Sequence, residues 1–174
     1  SRRQRQMCIR DRISAYVDIK DRSTNILFGD GAGVVWLEPT NEEGILDALL
    51  QSNGTGKEFL NIEGGGSLYP ASSQLLVDEK RYIRQDGKIV FKNAIQSMSD
   101  TCVNVLKRND FSVEDVNWLV PHQANKRIID AVGNEINIEE GKTLINIENY
   151  GNTIAATIPL CICLLYTSPS PRDS

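Results

Sequence analysis

A chain of 174 residues with 40% hydrophobic content and a formal charge of −4 fits one domain or part of a larger one. No apolar run approaches the ~20 residues of a membrane-spanning helix, and the polar, basic start lacks the apolar core of a signal peptide. Four cysteines and one histidine supply neither a disulfide framework nor a complete zinc site, so a reducing cytoplasm is the expected compartment, with no metal or other cofactor.

The two ends differ from the middle. Residues 1–12 read SRRQRQMCIRDR, with five arginines and no periodicity. Residues 163–174 read CLLYTSPSPRDS; they start where a helix should continue and then break into Ser-Pro repeats. Both ends read as non-native tails, leaving residues 13–162 as the expected native domain. Setting them aside removes six arginines and two aspartates, which leaves thirteen basic against twenty-one acidic residues, a net −8. An acidic body argues against general nucleic-acid binding.

Residues 13–19 alternate weakly. The run Asn25-Ile26-Leu27-Phe28 ends at Gly29-Asp30-Gly31-Ala32-Gly33, and Val34-Val35-Trp36-Leu37 resumes at once, so two strands joined by a glycine-rich turn are expected. The glycines permit positive φ and close backbone approach. A phosphate loop would need a helix after them; β-branched residues and Glu38-Pro39 follow instead. Residues 44–52 are short enough for a strand or a helix, and bracketing by Gly44 and Asn53-Gly54-Thr55-Gly56 favours a strand. Another strand is expected at residues 59–63, then an irregular stretch to Arg84 that could cover a site.

The spacing of Ala94, Ile95, Met98, Cys102, Val105 and Leu106 predicts an amphipathic helix over residues 92–109. Cys102 falls on its apolar stripe, where packing is a better reading than nucleophile. Ser112-Val113-Glu114-Asp115 resembles a capped turn. Residues 116–120 predict a strand, residues 125–135 a helix with Ile128, Ile129 and Val132 on one side, residues 139–142 a turn, and residues 143–147 a strand. A turn at residues 149–152 and a helix start at residues 153–160 complete the pattern. Strands alternating with helices imply an α/β sheet.

Two polar groups stand at matching places in this pattern. His122, the single histidine, follows Trp118-Leu119-Val120-Pro121 at the end of one predicted strand. Asn152 follows the next strand and a glycine. Strand ends are where α/β folds place their chemistry, and two uncharged donors there suit a developing oxyanion.

Five blocks in this order resemble the carboxyl-terminal half of β-ketoacyl-acyl-carrier-protein synthase III, a thiolase-fold condensing enzyme family of fatty-acid synthesis. They are Ile26-Leu27-Phe28-Gly29-Asp30-Gly31-Ala32-Gly33, Gly64-Gly65-Gly66-Ser67, Val120-Pro121-His122-Gln123-Ala124-Asn125, Asn149-Tyr150-Gly151-Asn152-Thr153 and Ala155-Ala156-Thr157-Ile158-Pro159-Leu160. The resemblance implies the C-terminal half of a thiolase fold, with a mixed sheet covered by helices. It implies decarboxylative condensation of acetyl-CoA, or another acyl-CoA, with malonyl-acyl-carrier protein. His122 and Asn152 would be the catalytic pair, Asn125 a contact for the pantetheine arm, and Lys126 with Arg127 the docking site for the acidic carrier. A homodimer is also implied. The family's nucleophilic cysteine has no counterpart here, so the chain alone is expected to be inactive. Ile154 stands where the family has a small hydroxyl residue. Alternatives are a non-catalytic carrier-protein or CoA-binding module, or a related thiolase-fold synthase of polyketide, quinolone or 3-hydroxy-3-methylglutaryl-CoA type.

Overall fold

The computed structural model describes residues 5–42, 44–74 and 79–167. Strand β1 (Arg5–Asp11) pairs antiparallel with β2 (Gly31–Leu37), in a register that runs from Arg5 opposite Leu37 to Asp11 opposite Gly31. Between them lie a 3₁₀ turn at Ile13–Tyr16 and the one-turn helix α1 (Arg22–Asn25), started by Asp21, whose carboxylate accepts from the Ser23 N–H. Residues 5–11, expected to be tail, thus contribute a strand.

The glycine block departs from the expected turn. Gly31 and Gly33 lie inside β2, and with Gly29 they alternate along one face of extended chain. That face is pressed against residues 150–160. A Cβ on Gly31 would sit 2.8 Å from Thr153 Cβ, one on Gly33 would sit 2.6 Å from Pro159 Cγ, and one on Gly29 would collide with the Tyr150 carbonyl. Close approach explains these glycines; positive φ does not. Val34 and Trp36 on β2 remain exposed.

Residues 44–52 form no strand. Side chains anchor the segment instead: Asp47 accepts from Arg108 Nη2 at 3.1 Å and from Asn109 Nδ2 at 3.0 Å. The strand expected at residues 59–63 shrinks to β3 (Leu60–Asn61), paired antiparallel with β4 (Arg84–Gln85). The irregular stretch between them is tied to the first 3₁₀ turn, with Ile83 N–H donating to Tyr16 O at 2.7 Å and Arg81 Nη2 to Ala15 O at 2.8 Å; its residues 75–78 lie outside the described set.

Helix α2 (Gly87–Arg108) starts five residues earlier than predicted, because Asp86 caps it: its Oδ1 accepts from Lys88 and Ile89 N–H, both at 3.1 Å. Cys102 is half-buried on α2, and burial pushes its thiol pKa up, away from thiolate. Ser112 and Asp115 form the expected reciprocal cap on a 3₁₀ turn at Val113–Asp115. Helix α3 (Lys126–Glu135) packs on α2 and buries Ile128, Ile129 and Val132, the predicted face. The one-turn helix α4 (Ile147–Tyr150) follows, then a 3₁₀ turn at Ile154–Ala156 and α5 (Thr157–Thr167), which lies over β2.

Neither strand expected around the site forms a full ladder. The two meet in a single parallel bridge, Leu119 to Thr143, and a second parallel bridge joins Phe28 to Asn152. Parallel bridges beside antiparallel pairs give the mixed sheet character, and the bridges bring the two site segments into place.

Candidate active site

His122 is delivered by the Leu119 bridge. Leu119 N–H donates to Lys142 O at 2.8 Å and Leu144 N–H donates back to Leu119 O at 2.9 Å. The adjacent Gln123 is fully buried and spends both ends of its amide on main chain. Its Nε2 donates to Pro121 O at 3.0 Å and Leu144 O at 3.1 Å, and its Oε1 accepts from Asn146 N–H at 2.9 Å. A short ladder is thus extended by a side chain, which fixes the residues on either side of the imidazole.

Asn152 is delivered by the Phe28 bridge, with its N–H donating to Leu27 O at 2.8 Å and its carbonyl accepting from Gly29 N–H at 3.0 Å. Gly151 before it has φ 68°, and a Cβ there would lie 3.2 Å from Leu27 O, so both conformation and space require glycine. Asn152 is buried, at 7% exposure. Its Oδ1 accepts from Ile154 N–H at 2.9 Å, which orients the amide and leaves Nδ2 as the end that can donate to a ligand.

The two arms meet in the turn that opens α5. Ile154 holds φ 53°, an outlier for a β-branched residue. Its N–H holds Asn152, and its carbonyl accepts from Thr157 Oγ1 at 2.8 Å. Thr157 Oγ1 in turn lies 2.7 Å from His122 Nδ1. The chain of contacts His122, Thr157, Ile154, Asn152 therefore links the predicted pair through one turn. Asp11 supports the same turn, its Oδ2 accepting from Ala156 N–H at 2.9 Å.

Burial of the imidazole pulls the His122 pKa below its ordinary value of 6.5, against weaker upward pulls from the Ile154 carbonyl and from Asp11. The unfolded chain then binds the proton more readily than the folded one. The stability gained by keeping His122 neutral is fully present above pH 6.5 and is lost as pH falls through the folded value. Denaturant midpoints at pH 7.5 and pH 5.5 should fall more for the wild type than for His122→Gln; equal drops would count against this account.

The cationic residues divide. Lys126 Nζ is paired with Glu148 Oε1 at 2.7 Å, a contact that raises the lysine pKa and links α3 to α4. The Arg127 guanidinium sits 5.4 Å from the centre of the Phe91 ring and has no carboxylate partner among the described residues. Asn125 caps α3, its Oδ1 accepting from Arg127 N–H at 2.9 Å, so only its Nδ2 end is left for a ligand.

Sequence reasoning gave Gln123 and Thr157 no individual role. Gln123 is the buried polar residue of its block, beside the buried Pro121. Thr157 carries a polar group within a small-residue helix start, a weak signal without the fold. Asp11 lay in a segment set aside as tail.

The fold places the chain in the thiolase-fold class. Residues 6–54 match the family model described as 3-Oxoacyl-[acyl-carrier-protein (ACP)] synthase III, and residues 106–170 match that for the 3-Oxoacyl-[acyl-carrier-protein (ACP)] synthase III C terminal. The chain belongs to the 3-oxoacyl-[acyl-carrier-protein] synthase III family. It is 48% identical over 153 residues to the beta-ketoacyl-[acyl-carrier-protein] synthase III of Porphyromonas gingivalis, a match over 87% of this chain and 46% of that one. Among solved structures, the 3-oxoacyl-(acyl carrier protein) synthase III of Pseudomonas aeruginosa superposes with a TM-score of 0.84 at 37% identity, over 94% of this chain and 50% of that one. The priming beta-ketosynthase of the R1128 polyketide biosynthetic pathway gives 0.84 at 29% identity, over 95% and 49%. The chain spans about half the length of the curated relatives it matches.

Proposed function

We propose that the whole protein containing this chain condenses acetyl-CoA, or another acyl-CoA, with malonyl-acyl-carrier protein in the initiation of fatty-acid synthesis. The observation that carries the reading is the convergence of His122 and Asn152 on the Ile154–Thr157 turn. Loss of CO₂ from the malonyl group leaves the bonding electron pair on the α-carbon, delocalised onto the thioester oxygen. Asn152 Nδ2 and a ring nitrogen of His122 donate to that oxygen. Asn152 Nδ2, oriented by the Ile154 N–H on its Oδ1, needs no reorganisation as the charge forms. The carbanion then attacks an acyl group carried as a thioester on a cysteine elsewhere in the whole protein, and the cysteine thiolate leaves.

On this reading the chain alone is inactive. The half-buried Cys102 and the buried Cys161 both have thiols that burial pushes up, a poor setting for a nucleophile. Asn125 contacts the pantetheine arm through Nδ2. Arg127 is the open docking cation for the acidic carrier, and Lys126 joins it once Glu148 is displaced. The whole protein is a cytoplasmic homodimer, and residues 13–162 are its native part in this chain. The likeness to the R1128 priming ketosynthase favours a second reading, chain initiation on a polyketide pathway, which keeps the same decarboxylation step.

The test is a condensation assay on the whole protein with acetyl-CoA and malonyl-acyl-carrier protein. Acetoacetyl-carrier protein, CO₂ and free CoA should appear in equal amounts. Carrier binding without any product would replace this reading with that of a binding module.

A further inference from the structure

Thr157 holds one hydroxyl proton between two acceptor positions. Its Oγ1 lies 2.8 Å from the Ile154 carbonyl oxygen and 2.7 Å from His122 Nδ1. The residue is 1% exposed, so its bonding is completed from within the protein. A carbonyl oxygen can only accept. With the hydroxyl donating to Ile154 O, what Oγ1 turns toward the imidazole is a lone pair, and the nitrogen facing it must carry hydrogen. In the neutral ring that leaves Nε2 bare. Turning the hydroxyl onto Nδ1 instead gives up its bond to Ile154 O, so that arrangement has one hydrogen bond fewer.

We infer that Thr157 is a positioning residue that sets the resting tautomer of His122, with hydrogen on Nδ1 and the lone pair on Nε2. Ile154 makes the arrangement specific. Its backbone, at φ 53°, faces its N–H to Asn152 Oδ1 and its carbonyl to Thr157 Oγ1. One turn thereby fixes Asn152 as the donor and His122 Nε2 as the acceptor in the unliganded site. The consequence for catalysis rests on the condensing-enzyme reading. For His122 to donate to an enolate oxygen, the ring takes up a proton at Nε2 and releases one from Nδ1, through solvent and with no net change in charge. The Thr157 hydroxyl then swings from Ile154 O onto Nδ1. Thr157 is a two-position rotor that the arriving oxygen throws.

His122 is the single histidine of the chain, so ¹⁵N-histidine labelling yields one pair of ring-nitrogen signals. Long-range ¹H–¹⁵N correlation of the 174-residue chain at a pH where the ring is neutral reads the tautomer directly. The expected wild-type spectrum has Nδ1 protonated and Nε2 unprotonated. Thr157→Ser, which keeps the hydroxyl, should retain that pattern, and Thr157→Val should exchange the two signals. A wild-type ring protonated at Nε2, or a folded Thr157→Val with the wild-type pattern, overturns the inference. Should Thr157→Val not fold, the wild-type and Thr157→Ser spectra decide. This outcome is separate from the proposed activity: a whole protein that fails to condense leaves the tautomer assignment standing, and an Nε2–H ring leaves the activity standing.

Discussion

Replacing His122 by alanine in the whole protein lowers malonyl-acyl-carrier-protein decarboxylation by about 10²–10³-fold, and Asn152→Ala does the same, because each removes one hydrogen-bond donor from a developing oxyanion. Acyl transfer from acyl-CoA, which does not form the malonyl enolate, is largely spared in both. The two readouts, CO₂ release and transfer of labelled acyl group to protein, separate a lost donor from a lost fold. The double variant loses less than the product of the single losses, since the two donors serve one oxygen and act as a unit. Asn152→Asp sharpens the argument. Its carboxylate can still accept from Ile154 N–H, which Asn152 Oδ1 now holds at 2.9 Å, but it offers no donor and adds a negative charge beside the enolate. Aspartate should therefore do no better than alanine. Decarboxylation at the wild-type rate in both alanine variants would sink the role assignment.

What could be read from the sequence followed from which interactions are local. Asp86, Ser112 and Asn125 cap within three residues of themselves, and the apolar spacing of α3 marks its buried face. These are short-range signals, and the long helices α2 and α3 were legible apart from the start of α2, whereas the one-turn helices α1 and α4 were not. The strands were legible only in part, where residues 34–37 fall in β2 and Leu60–Asn61 forms β3. Residues 116–120 and 143–147 carry strand-like composition yet make one bridge between them, because Gln123 takes over the bonding that further ladder rungs would have made. Residues 44–52 lack a partner strand among the described residues, and strand propensity without a partner has nothing to pair with. The glycine block was read as a turn because glycine suits positive φ; here it serves contact with residues more than a hundred positions later, which no local pattern reveals.

The site divides in the same way. His122 and Asn152 stood out through their place after apolar runs, and the resemblance gave them their expected roles. Their mutual arrangement depends on Thr157 and on the backbone of Ile154, where the information lies in φ and in hydroxyl direction rather than residue type. The Ile154 side chain looked like the departure worth watching. Its main chain proves the more consequential part, since both its N–H and its carbonyl hold the site.

The largest expected effect on stability comes from Gln123→Leu. Leucine fills a similar volume, so packing changes little, yet three hydrogen bonds vanish at a fully buried position. Asn146 N–H, Pro121 O and Leu144 O each lose a partner, and an unsatisfied buried group costs about 1–3 kcal/mol, so the sum is roughly 3–9 kcal/mol. Against a typical total of about 5–15 kcal/mol, that leaves the chain barely folded. Gln123→Glu does not rescue it: the carboxylate still accepts from Asn146 N–H but meets two carbonyl oxygens at 3.0 and 3.1 Å with no proton to give. Urea denaturation of the chain at neutral pH reads the effect, with Lys107→Ala on exposed α2 as the reference. A midpoint for Gln123→Leu close to that reference would mean that Gln123 does not hold the two segments together. The position of His122 would then have to come from the Leu119 bridge and the contact of its ring with Thr157 Oγ1, since one bridge alone does not fix the direction of a ring three residues further on.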